Sequence, residues 1–355
     1  ISEEDREADL HEALVFGNHK GAASKPELLK ELITADVRHG YGLVIPRDKD
    51  ARIPNACLAP MNIMHQFTLD ASSDIVDKER LTHDQSFKWQ SETLVNNRVD
   101  KDKLQRCMYG CCLMRLLCWI VAARCQFPNK PIVLQKIDVK SAYRRCHLNA
   151  ATAIKTITQL TGDELCIIML RLTFGGAPCP FEWNIISESI RDLANAILHD
   201  DTWDPTTLYA PCQHLVPSMI LMDDSIPFAE GAEQIVDIPI DPRGTGDIYI
   251  DNFIETTIVI EGTDNVVRCK RATLLAIDVT ARPKHISKPI PREDFEACNK
   301  LSAEAGLEEQ KTVLGWLIDT CRLLLSLPNN KFVAWTEILS SVLTRGTTTM
   351  KEMES

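Results

Sequence analysis

"GDIYIDNFIETT", Gly246 to Thr257, is the stretch on which the reading of this chain turns. Apolar and β-branched residues run up to Asp251 and away from it, which predicts a β-hairpin with an acidic tip. Tips that hold metal ions usually present two adjacent carboxylates, and here the second position is Asn252. The stretch is therefore a metal-binding tip with one ligand changed, the remains of one, or an ordinary turn. A partner carboxylate is available in Asp138, at the end of "PIVLQKIDV" (Pro131 to Val139), which reads as a buried strand. Neighbouring strands can bring two such groups within a few Å, where they repel unless cations lie between them. A two-metal site needs that arrangement, with ions about 3.5–4 Å apart. Taken alone, each Asp reads as a turn or cap residue.

A rival tip is "LMDDS", Leu221 to Ser225, which has two adjacent acids, Asp223 and Asp224. Pro227 follows almost at once and would break the return strand of a hairpin. Asp251 has strand-like sequence on both sides, so it is the tip expected here, and Asp223 and Asp224 fall in a loop.

The chain has 355 residues, 45% of them hydrophobic and 25% charged, enough for a real core and against disorder. A net charge of −11 counts mildly against nucleic-acid binding, although a basic groove can sit inside an acidic protein. Thirteen cysteines, an odd number without a signal peptide, point to a reducing intracellular compartment. The most apolar run, "LLCWIVAA", is too short to span a bilayer, so no membrane is expected. Ile1 without a preceding Met suggests a fragment of a longer polypeptide. Cys107, Cys111, Cys112, Cys118 and Cys125 lack a CxxC pair and a nearby His, so they read as buried core thiols rather than zinc ligands.

Periodicity predicts a helix in "SKPELLKELITADV", opened by a Ser24–Glu27 capping box, and an extended "YGLVIPRD". It also predicts one helix from Leu104 to Cys125, buried on most sides, another from Phe181 to Leu198, and a third from Arg292 to Ala305. Residues 200–246 are rich in Pro and Asp and read as a long insertion. "TVLGWLIDTCRLLLSLP" predicts paired strands, and "FVAWTEILSSVLT" a closing helix that ends near Gly346.

Five segments in order carry a resemblance to a family. "KIDVKSAYRRCHL" (136–148) resembles motif A of reverse transcriptases, and "LTFGGAPCPFEW" (172–183) their motif B. "YIDN" (249–252) is similar to the motif C tip, usually Tyr-x-Asp-Asp. "LEEQKTVLGW" (307–316) is similar to a Lys followed by the primer-grip hairpin. "RLTHDQSF" with "LVNNRV" resembles the fingers of retroelement reverse transcriptases, especially of retrotransposons that carry a tyrosine recombinase.

The resemblance implies an α+β right-hand polymerase fold. Fingers and an N-terminal region would occupy 1–130, the palm 131–327 with its insertion at about 200–246, and the start of a thumb 328–355. It implies RNA-directed DNA synthesis from dNTPs on an RNA or DNA template-primer, with two Mg²⁺ ions that Mn²⁺ can replace. By this resemblance Asp138, Asp251 and Asn252 hold the metals and Tyr143 is a steric gate against a 2′-OH. Phe174, Gly175 and Gly176 form a turn beside the nucleotide, where adjacent glycines let the backbone approach a base. Arg80, with Lys78, grips the triphosphate, Lys311 is a general acid for pyrophosphate, and Leu314, Gly315 and Trp316 form the primer grip. Tyr143 as a core aromatic, Lys311 as a solvated lysine and Arg80 as a surface charge remain the alternatives. For the whole chain, the alternative is a degenerate or domesticated fold that binds nucleic acid or protein without polymerising. Asn252 favours that alternative, while Asp138, Tyr143 and "FGGAP" favour the enzyme.

Overall fold

The computed structural model describes residues 2–50, 52–69, 75–91, 95–207, 210–223, 225–232, 237–281, 287, 290 and 293–349. The chain opens with helices α1 (Glu3–Phe16), α2 (Lys20–Ala23) and α3 (Pro26–Arg38), then strand β1 (Gly42–Pro46) and helix α4 (Arg47–Asp50). A two-stranded ribbon follows, β2 (Met61–Leu69) and β3 (Ile75–His83). Next come α5 (Cys112–Gln126), β4 (Ile132–Asp138), α6 (Ala150–Ala153), β5 (Ile157–Leu160), β6 (Leu165–Met169) and α7 (Cys179–His199). The remainder is β7 (Thr245–Tyr249), β8 (Asn252–Ile258), α8 (Asn265–Thr280), α9 (Cys298–Glu304), β9 (Gln310–Val313), β10 (Trp316–Asp319), β11 (Leu324–Ser326) and α10 (Asn329–Arg345). The fold is α+β, and among the described residues the named strands pair antiparallel throughout.

The sheet that positions the site has the order β4–β8–β7. Both of its faces are covered, which explains why "PIVLQKIDV" is nearly continuously apolar. On one face Ile137, Ile248 and Phe253 pack with Trp183 and Ile190 of α7 and Leu274 and Ile277 of α8. On the other, Ile132, Leu134 and Ile254 meet Leu116, Trp119 and Ile120 of α5, with Val313 and Ile318 from the β9–β10 pair. The period-2 alternation of strands sorts neighbouring residues into these two layers. Arg115 of α5 grips Asp247 of β7 with two bonds of 2.6 Å, fixing the helix on the strand that leads to the tip.

Several local expectations need correction. The helix expected from Leu104 begins at Cys112, because 101–103 and 109–111 form separate 3₁₀ turns. It buries one face only: Cys112 is buried, Cys107 and Cys118 are half-buried, and Cys111 and Cys125 are exposed. The Ser24–Glu27 capping box does not form. Pro26 takes the first helical position, Lys25 is the cap residue, and the Ser24 hydroxyl donates to the Gly21 carbonyl at 3.4 Å. The helix expected over 292–305 is shortened to Cys298–Glu304, because Phe295 and Glu296 lie extended against Val139 and Lys140. Arg292 lies outside the described residues.

The first part of the insertion is packed down on the fold. Trp203, Ala210, Cys212 and Val216 are buried, and Arg268 of α8 donates to the carbonyls of Asp200 and Trp203 at 2.9 and 2.6 Å. The strands expected in 312–328 and the helix ending at Gly346 are present, with Gly346 in the left-handed conformation that closes helices. No helix among the described residues is long and apolar enough to cross a membrane.

Glu255 of β8 sits on the α8 face of the sheet, 1% exposed, accepting from the Thr273 hydroxyl and, at 3.8 Å, from the Cys269 thiol. Burial pushes its carboxyl up to about 8, so the fold holds it protonated. The raised value makes the folded state bind the proton more tightly. Its stability contribution is complete below the ordinary carboxyl range near 4.5 and is lost as pH rises towards 8. Glu255→Gln is expected to flatten the loss of stability between pH 5 and 8, a difference on the order of a few kcal/mol. Urea unfolding of both proteins across that range measures it.

Candidate active site

The β4–β8 register sets Asp138 opposite Asn252, and the Val139 amide donates to the Asp251 carbonyl at 2.8 Å. Asp251 occupies the two-residue turn between Tyr249 and Asn252, with Ile250 before it at φ 56°. A β-branched residue in the left-handed region is strained, and local strain of this kind persists only where the surroundings impose it. Trp183, fully buried in α7, supplies that restraint: its Nε1 donates to the Ile250 carbonyl at 2.6 Å. The sequence offered Trp183 only as the aromatic at the end of motif B.

Asp138 and Asp251 line one cleft of about 250 Å³. Its other walls include Lys78 and Arg80 from β3, Phe174 from the turn before α7, Lys140, and Lys300 from α9. Desolvation first, and then the charge of Asp138, raise the pKa of Asp251. Lys300 Nζ stands 2.9 Å from Asp138 Oδ1, an ammonium where a cation is electrostatically favoured. Asn252 donates Nδ2 to Asp251 Oδ1 at 3.1 Å and brings no charge of its own. Asp138 and Asp251 bring two carboxylates, the hard oxygen donors that a divalent cation such as Mg²⁺ or Mn²⁺ would require, to the cleft. That is one anionic group fewer than a tip of two acids would give, and Asn252 is not part of the cleft lining. Among the described residues, no three His, Cys, Asp or Glu side chains gather as a metal-holding cluster.

Arg80 lies over the Phe174 ring at 5.6 Å, and Lys78 has its pKa lowered by desolvation and then by Arg80. Tyr143, half-buried in a 3₁₀ turn after β4, packs its ring on Phe174 with centroids 5.1 Å apart. Burial pushes its phenol up to about 12, with the charge of Asp251 among the further causes. Asp223 lies elsewhere, in an exposed turn where it accepts from the Ser225 amide, and Asp224 is outside the described residues.

Two expectations change at the level of contacts. Lys311 is neither solvated nor part of the cleft lining: it is buried on β9, where Nζ donates to the Gly306 carbonyl and Glu308 Oε1, both at 2.7 Å. A lysine the sequence did not single out, Lys300 of α9, joins Lys78 and Lys140 in the cleft, because where α9 crosses the end of β4 is not written in local spacing. The glycines of the "FGG" turn allow close approach to the protein's own backbone. A Cβ at Gly175, whose φ is 119°, would lie 1.8 Å from the His83 carbonyl oxygen, and the His83 amide donates to the Phe174 carbonyl at 2.8 Å. One at Gly176 would lie 2.6 Å from the Cys179 sulfur.

Leu314 and Gly315 form the tip of the β9–β10 hairpin, both with positive φ, 51° and 84°, as a tight two-residue turn requires. They line a separate cleft with Tyr109, Tyr249 and Lys331, and Trp316 beside them is exposed.

Gly175→Ala is expected to destabilise the fold by at least about 2 kcal/mol, because backbone meets the new methyl on one side and φ opposes it on the other. A fall in the denaturation midpoint measures it.

No family model and no curated protein matches the chain. Among solved structures, it is similar to the foamy viral protease-reverse transcriptase dRH in complex with double-stranded DNA. The identity is 11% and the TM-score 0.48, over 92% of this chain and 38% of that one. It is also similar to the foamy viral protease-reverse transcriptase in complex with an RNA/DNA hybrid. Here the identity is 13% and the TM-score 0.49, over 95% of this chain and 30% of that one. The chain thus spans well under half the length of either, and likeness at this level assigns no role to any residue.

Proposed function

We propose that the chain is the polymerase part of a retroelement RNA-directed DNA polymerase, with fingers in 1–130, palm in 131–327 and the start of a thumb in 328–355. One observation carries the proposal: a carboxylate at the end of β4 and one in the β7–β8 turn beside it share a cleft with Lys78, Arg80 and Lys300. Each motif of the resemblance except the β9–β10 hairpin contributes a side chain to that cleft or to the ring packed on its wall.

In this reading Asp138, Asp251 and Asn252 hold Mg²⁺. Bound magnesium supplies Lewis acidity to the primer 3′-hydroxyl and neutralises charge on the leaving pyrophosphate. The chain's own groups do the rest. Lys78 and Arg80 receive the triphosphate of a dNTP, with Arg80 braced against Phe174. Tyr143 closes the space beside the sugar, and Leu314, Gly315 and Trp316 hold the primer. Lys300, whose ammonium stands 2.9 Å from Asp138 Oδ1, rather than the buried Lys311, is the general acid that passes a proton to the pyrophosphate in this reading.

The second reading, a retired polymerase that binds nucleic acid without extending it, is favoured by the uncharged Asn252 and by Lys300 on Asp138.

Template-primer extension in Mg²⁺ and in Mn²⁺ separates the two. The enzyme is expected to extend poorly in Mg²⁺ and better in Mn²⁺, which binds a given site more tightly. Asn252→Asp should then raise magnesium-supported extension, and Asp251→Asn should abolish it with either metal. No extension by wild type or Asn252→Asp, in protein verified as folded and bound to template-primer, makes the binding-only reading the better one.

Sugar selection gives a separate test. Tyr143→Ala is expected to raise rNTP relative to dNTP incorporation at least tenfold, the effect of about 1.4 kcal/mol of lost discrimination. An unchanged ratio places the gate elsewhere.

A further inference from the structure

The insertion and α9 meet at a pair of thiols. Cys212 lies at the start of a 3₁₀ turn over 213–215, and Cys298 is the first residue of α9. Their sulfurs are 3.5 Å apart although the residues are 86 positions apart in the chain. Cys212 is buried and Cys298 half-buried, so an incoming reagent meets Cys298 first. Asp294 Oδ2 lies 4.0 Å from the Cys298 sulfur. Burial, followed by the charge of Glu296, raises the pKa of Cys212.

We infer that Cys212 and Cys298 form a site of reversible oxidative modification, closed as an intramolecular disulfide by exchange with a small disulfide such as oxidised glutathione. Cys298 loses its proton to solvent, and its thiolate attacks one sulfur of the small disulfide. The S–S bond breaks, one glutathione thiolate leaves, and a mixed disulfide remains on Cys298. Cys212, deprotonated in turn, attacks the Cys298 sulfur and expels the second glutathione thiolate. Two protein thiols are oxidised, one small disulfide is reduced to two thiols, and those thiolates take up the two protons. The second step is the slower one, because Cys212 must be deprotonated in a buried setting. The turn that carries it needs only local opening.

The tether falls on a helix that lines the cleft. The Ala297 amide, just before α9, donates to the Asp138 carbonyl at 3.0 Å, and Lys300 is on the first turn. Oxidation therefore pins the insertion to the segment that carries the Lys300–Asp138 pair. The chemistry holds whether or not the chain polymerises, so its test is independent of the proposed activity.

Reduced wild-type protein is exposed to oxidised glutathione, and its peptides are mapped without reduction. The expected result is one linked peptide joining Cys212 to Cys298, two hydrogens lighter than the separate peptides. A rise in Tm of about 5 °C that dithiothreitol reverses should accompany it, since a long loop is closed. Cys212→Ser should keep a glutathione adduct on Cys298 and show no such rise. A stable adduct on Cys298 in wild type, its bonding to any other cysteine, or no reaction at either residue overturns the inference.

Discussion

The pairing of β4 with β8 is the constraint on which the rest of the structure depends. It sets Asp138 opposite Asn252, ties Val139 to the Asp251 carbonyl, and brings two carboxylates separated by more than a hundred residues to one end of one sheet. A slip of one residue would turn one strand over relative to the other and exchange its two buried faces. Such a slip is opposed from both sides. Phe253 and Ile137 are held by α7 and α8, while Ile254 and Leu134 are held by α5 and the β9–β10 pair. The register, and with it the site, is thus maintained by hydrophobic packing that lies outside the cleft.

Around this frame the electrostatics are closely balanced. Among the described residues, five cationic side chains and four carboxylates line the cleft, so it is close to neutral inside a protein of net charge −11. Lys300 on Asp138 and the neutral Asn252 beside Asp251 both reduce the negative charge offered to a divalent ion. That is why the same geometry supports a catalytic reading and a binding-only reading. The Arg115–Asp247 pair and Trp183 act further out, holding β7 and its turn in place without touching the cleft.

The elements legible in the sequence were those with strong local signals. β4 was visible as an apolar run after Pro131, α7 as a periodic helix after Pro180, the β7–β8 hairpin as two β-rich flanks around a polar tip, and α10 by its Gly346 stop. Misjudged elements were those where a tertiary pairing or a competing local turn overrode periodicity. Residues 295–297 were pulled from helix into extended pairing with Val139 and Lys140, and 104–111 stayed out of α5 despite their apolar content. Pro26 pre-empted the cap that the Ser24–Glu27 spacing advertised.

The sequence by itself determined much of the alternation of strands and helices and the β7–β8 hairpin with Asp251 at its tip, because periodicity, proline placement and turn chemistry act over a few residues. Tertiary structure alone decided that Lys300 joins Lys78 and Lys140 in the cleft and that Lys311 does not. It also decided that Gly175 makes room for the His83 backbone and that Cys212 faces Cys298. Each of these depends on where distant segments cross, and crossings are set by how the two faces of the β4–β8–β7 sheet are filled rather than by any local pattern.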